Sequence, residues 1–199
     1  MAHRGLWLTI FLIVFIWSAV APKDYFTWFL EVLPALIAVV VMGLTYKKFP
    51  LTRLCNGLIL IHCVILMVGG HYTYAEVPLF DWLSDFVGGT RNNYDKVGHF
   101  AQGFVPAIVA REILIRHDVI NKSAWLGFIV VSICLAISAF YELIEWWVAL
   151  LSDEAAESFL GTQGFVWDTQ SDMLLALIGA ILAVTLLKSR HDKQIARLS

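Results

Sequence analysis

Six apolar runs, each near the length of a bilayer crossing, leave this chain little choice of architecture. They lie at about 6–21, 29–46, 54–70, 94–115, 124–151 and 166–187. A helix needs roughly 20 mainly apolar residues to cross the hydrocarbon core. No water is available there to bond the backbone, so such a run must satisfy its own polar groups as an α-helix. The reading is an all-α, polytopic transmembrane helix bundle of six spans, forming one integral membrane domain over residues 1–199. Charged residues make up 15% of the chain, against about a quarter in a soluble domain. The links are short and leave no room for a sizeable soluble domain. Basic residues are scattered and the net charge is −2, so nucleic acid is excluded as a partner and membrane lipid is the expected one. Nothing in the pattern sets an oligomeric state.

The first run follows Met1-Ala2-His3-Arg4 and ends at Ala19-Val20-Ala21, as a secretory signal does. Pro22 would stand directly after the cut, so the segment reads as an uncleaved anchor. Pro34 falls in the first turns of the second run, where a missing N–H costs least, and Glu31 reads as interfacial. Pro106 reads as a kink in the fourth run. At about 78–87, Asp81 and Asp85 lie one turn apart among Leu79, Phe80, Trp82, Leu83 and Phe86, a pattern for a helix lying on the bilayer surface. The acidic stretch 152–157 reads as a solvated loop and Lys188–Ser199 as a basic tail. Cys55, Cys63 and Cys134 have no ligand spacing and read as small buried apolar residues.

Charge sets the orientation. With a cytoplasmic N-terminus and six spans, 11 of the 14 Lys and Arg fall inside. Only Lys23, Arg91 and Lys96 lie outside. The positive-inside rule therefore puts both termini in the cytoplasm. Of the 16 acids, only Glu112, Asp118 and Asp192 fall on the inner side, and Glu112 reads as an ion pair with the adjacent Arg111.

Three spans then carry polar residues at one depth. Asp95 and His99 are one turn apart at the outer end of the fourth, and Gln102 continues their face. Ser138, Glu142 and Glu145 share a face of the fifth at i, i+4, i+7. Asp168 and Asp172 open the sixth, again one turn apart. Glu145 lies about 9 Å below the end of its span, at 1.5 Å per residue. Ionisable residues inside a membrane are costly and mark functional sites. Burying one lone ion costs several kcal/mol, so these carboxylates need first-turn amides, a cation, shared protons or a metal. His99, Glu142, Glu145, Asp168 and Asp172 are a donor set for a divalent metal ion of the zinc, manganese, iron or magnesium class.

Three function classes fit this pattern. The first is a membrane-embedded enzyme or binding protein for a lipid or cell-envelope molecule, approached from the outer side. Asp95, His99, Glu142, Glu145, Asp168 and Asp172 would then be the catalytic set, and Arg91, Gln102 and Trp146 would contact substrate. The second is a small proton-coupled transporter, and the third a purely structural membrane protein whose acids act as interhelical glue. Trp146, Trp147 and Trp167 also suit interfacial anchoring. His71 is an outlying candidate for the site, whereas His3, His62, His117 and His191 carry no functional reading.

Three blocks carry a resemblance: Tyr94-Asp95-Lys96-Val97-Gly98-His99-Phe100, Tyr141-Glu142-Leu143-Ile144-Glu145-Trp146, and Phe159-Leu160-Gly161-Thr162-Gln163-Gly164 with Trp167-Asp168-Thr169-Gln170 and Asp172-Met173. Together they resemble the YjdF family of bacterial inner-membrane proteins over nearly the whole chain. The resemblance implies a multi-pass fold in the inner membrane but no reaction. More distantly, the Asp-Lys-x-x-His-Phe block, the acidic helix and the Asp-started helix with Gly179 are similar to the VanZ-like membrane proteins, linked to glycopeptide-antibiotic tolerance. Glu145 and Asp172 depart from that second pattern, standing where amides are more usual.

Overall fold

A computed structural model describes residues 2–120, 124–151 and 162–198. The acidic stretch 152–157, residues 159–161 of the third block, Met1 and Lys122 lie outside the described residues. Among the described residues the chain is helical, without strand: α1 Ala2–Ala19, α2 Tyr25–Thr45, α3 Arg53–His71, α4 Pro78–Phe86, α5 Tyr94–Arg116, α6 Ala124–Leu151, α7 Asp168–Leu186 and α8 Lys188–Ile195. Four of these, α2, α3, α6 and α7, are long and apolar enough to cross a membrane. The apolar part of α1, Gly5–Ala19, is shorter. α5 has the length, but Asp95, Lys96, Arg111, Glu112 and Arg116 lower its apolar character.

Local chemistry sets the helix ends. Asp24 Oδ1 accepts from Thr27 N at 2.6 Å, an N-cap that starts α2 four residues before its apolar run. Pro34 therefore sits in the helix interior rather than in the first turns, and its missing N–H leaves the Leu30 carbonyl without its helical donor. Glu31, expected at the interface, is buried with its Cβ against Gly70, whose lack of a side chain admits it. Pro78 opens α4, where a missing N–H costs nothing. Gly88, at φ 69°, supplies the left-handed residue after it. The basic tail forms α8, with His191 and Ile195 buried.

The chain divides into two compact units. The first comprises Met1–Val41, Leu60–Gly98 and Ile144–Val166, and the second Met42–Ile59, His99–Leu143 and Trp167–Ser199. In the first, Tyr74, Val77 and Tyr94 form a buried cluster with Phe80 and Ile65 packed on it. The Tyr94 hydroxyl donates to the Ile65 carbonyl at 3.0 Å. Gly98 allows the Tyr74 ring in, since a Cβ there would stand 2.8 Å from it.

The second unit has a core of Cys55, Ala107, Ile108, Leu126, Val130, Cys134, Ala180 and Ala183. α5 and α7 meet here with their backbones in contact. A Cβ on Gly103 would overlap the Ala176 carbonyl, and one on Gly179 would overlap the Phe100 carbonyl. Small residues at a membrane helix crossing allow this approach. His99 and Asp172 each precede that crossing by one turn, on α5 and α7 respectively.

Candidate functional site

The second unit gathers the central part of the expected constellation. His99, Glu142, Asp168 and Asp172 are all buried. A ring nitrogen of His99 lies within 4.8 Å of a carboxylate oxygen of Asp172, and a ring nitrogen of His99 lies within 4.8 Å of a carboxylate oxygen of Glu142. His99 Nδ1 is 3.7 Å from Glu142 Oε1 and 3.2 Å from Gln102 Oε1. With Nδ1 donating to Gln102, Nε2 keeps its lone pair. The Tyr141 ring stands edge-on to the imidazole at 6.4 Å between centroids. Ser138, one turn along α6 from Glu142, is fully buried, and its Oγ has no hydrogen-bond partner among the described residues. Asp168 lies in the first turn of α7, where free amides and the helix dipole favour an anion.

Most of the other expected residues belong to the first unit. Asp95 is half-buried one turn before His99 on α5. Its Oδ2 lies 3.9 Å from Arg91, within the first unit. Glu145 is buried three residues beyond Glu142 on α6. The Arg91 guanidinium and the Lys96 ammonium both lie over the Phe165 ring, at 5.3 and 5.5 Å. Gln163 holds this end of the first unit by two bonds to the Asn92 backbone, accepting from its N–H and donating to its carbonyl, each at 2.9 Å. Trp146, Trp147 and Trp167 are exposed, as anchors would be. His71 binds elsewhere: its Nδ1 is 3.0 Å from the Ser18 carbonyl and its ring packs on Trp17. Nearby, a hydrogen bond and the charge of Glu76, 2.6 Å away, raise the Lys23 pKa above its usual value. Both groups are half-exposed, so the pair adds little to stability.

Another polar cluster, in the second unit, escaped the sequence reading. Glu112 is fully buried and accepts from Thr52 N (2.9 Å), Thr52 Oγ1 (2.6 Å), Cys55 Sγ (2.9 Å) and Arg116 (2.8 Å). His191 Nε2 lies 3.0 Å from Glu112 Oε2 and 3.8 Å from Cys55 Sγ. Arg111 donates to His191 Nδ1 at 3.0 Å and to Asp192 Oδ1 at 2.7 Å. The expected Arg111–Glu112 pair is thus replaced by Glu112–Arg116 and Arg111–Asp192. Adjacent helical residues point apart, whereas i and i+4 meet. Cys55 is buried, but beside polar groups rather than purely apolar ones. The i, i+4 pair of Glu112 and Arg116 was visible in the sequence. The contribution of His191, 79 residues beyond Glu112, had no local signal.

A family model described as "Predicted membrane protein (DUF2238)" matches residues 4–193. The inner membrane protein YjdF of Escherichia coli (strain K12) is 49% identical over 185 residues, covering 93% of this chain and 88% of that protein. The resemblance carried by the three blocks is thereby confirmed across the chain. No solved structure matches it. The protein is a multi-pass protein of the bacterial inner membrane, surrounded by lipid.

Proposed function

We propose, for a chain that belongs to the DUF2238 family of predicted membrane proteins, that it holds a divalent cation in the periplasmic half of the bilayer and acts there on a lipid or other cell-envelope molecule. In this reading α1, α2, α3, α5, α6 and α7 are six spans and both termini are cytoplasmic. Support comes from the basic residues, 11 of 14 of which then lie inside.

The observation that carries the proposal is the approach of His99, Glu142 and Asp172. Asp172 and Glu142, from two other helices, each bring a carboxylate oxygen to within 4.8 Å of a ring nitrogen of His99, and all three residues are buried. Carboxylates buried in this way need a cation or protons beside them. The donor set suits a hard-to-borderline divalent ion. Gln102 Oε1, 3.2 Å from Nδ1, would hold the orientation of the ring. A bound ion would polarise a phosphoryl or carbonyl oxygen of the substrate. Asp168, in the first turn of α7, would hold or pass a proton. Arg91 would meet an anionic head group, aided by its packing on Phe165.

A transport path is less well supported. Between His99 and Arg111, about 18 Å along the helix at 1.5 Å per residue, α5 offers Gln102 as its one polar side chain.

Metal analysis tests the proposal. Purified protein dialysed against metal-free buffer should retain about one tightly held ion per chain. His99→Ala and Glu142→Gln should each lower the affinity by at least about tenfold, the loss typical of removing even a supporting group. If no preparation holds metal, or if both variants hold it as the parent does, the metal reading fails.

A further inference from the structure

We propose that Cys55, Glu112 and His191 form a second, exchangeable metal site of the zinc class, closed by α8 and independent of the His99 group. Their donor atoms stand 2.9, 3.0 and 3.8 Å apart. A point just off their plane can therefore stand about 2.0 Å from the nitrogen and the oxygen and about 2.3 Å from the sulfur, the lengths of Zn–N, Zn–O and Zn–S bonds. Thiolate, imidazole and carboxylate are the three side-chain donors zinc takes. The residues come from α3, α5 and α8, and all three side chains are fully buried.

Arg111 sets the occupancy of this site. A guanidinium only donates, so its 3.0 Å contact makes His191 Nδ1 the acceptor. The ring proton then sits on Nε2, directed at Glu112 Oε2. In that tautomer Nε2 cannot ligate. On coordination the Cys55 thiol proton passes to water and the imidazole proton moves from Nε2 to Nδ1. Arg111 must then withdraw from the ring, remaining on Asp192. An ion thus displaces an existing bond, which makes it weakly held. Its binding is also tied to the seating of α8: His191 and Asp192 meet α5, and Gln194 Oε1 accepts from Leu54 N at 2.9 Å.

The test is a cobalt titration of the full-length protein in detergent, stripped beforehand with a chelator. Cobalt bound to a thiolate gives a near-ultraviolet charge-transfer band, and the His99 group contains no thiol. The expected result is a saturable band in the parent protein that is lost in Cys55→Ser. In Arg111→Gln, whose amide oxygen can accept from Nδ1–H, the band should saturate at about tenfold lower cobalt. His99→Ala should leave it unchanged, so failure of the first site and failure of this one read separately. Absence of the band from both the parent and Arg111→Gln overturns the proposal, as does a band that persists in Cys55→Ser.

Discussion

Gly103→Leu is expected to lower the unfolding free energy by about 3 kcal/mol or more, at the upper end for overpacking. A Cβ at this position has nowhere to go, because the obstacle is the Ala176 carbonyl on the backbone of α7 rather than a mobile side chain. The two helices must separate, and the cost extends to the Ala180 and Ala183 core one and two turns away. It should also reach the site, since His99 and Asp172 each stand one turn from the crossing. Denaturant titration in detergent measures the stability, and metal content of the same samples measures the site. Gly127→Ala in α6 is the control. Nothing lies within 4 Å of a Cβ there, so the better helix former should add about 0.5–1 kcal/mol.

Glu112→Ala should cost about 3–5 kcal/mol, the range for removing one partner of a buried charge pair. The carboxylate neutralises Arg116 and accepts from both Thr52 donors and the Cys55 thiol. Without it, several buried polar groups are left unsatisfied together. Glu112→Gln keeps the shape and part of the bonding, so its loss should be smaller. Adding Arg116→Ala to Glu112→Ala should recover part of the cost, because the second change removes the uncompensated cation. A double-mutant cycle by denaturant unfolding should give a coupling within about 0.5–3 kcal/mol. Arg116 also donates to the Pro50 carbonyl and lies over the Phe49 ring, so its own truncation is not silent.

What could be read from sequence here divides by the range of the interaction. Spans at about 54–70 and 124–151 correspond to α3 and α6 because apolar length is a local property. α4 was legible from Pro78 and the spacing of Asp81 and Asp85. The approach of Glu142 and Asp172 to His99 was legible in part, because each lies on a polar face of its own helix. The start of α2 was not, since the apolar run begins at Phe29 whereas the Asp24 cap acts before it. The α5–α7 contact was also hidden. Gly103 and Gly179 are unremarkable singly, and only the crossing makes a missing Cβ necessary. His191 read as part of a basic tail, among the charged neighbours Arg190, Asp192 and Lys193. Its burial depends on Arg111 and Glu112, far away in the chain.

The most direct test of the proposed cation site is metal-edge X-ray absorption on zinc-loaded Cys55→Ser protein, in which the second site lacks its thiol. The account predicts one retained zinc with an imidazole and oxygen shell, lost in His99→Ala and weakened in Glu142→Gln and Asp172→Asn. Protein that retains no zinc, or whose imidazole and oxygen shell survives all three substitutions, would contradict it.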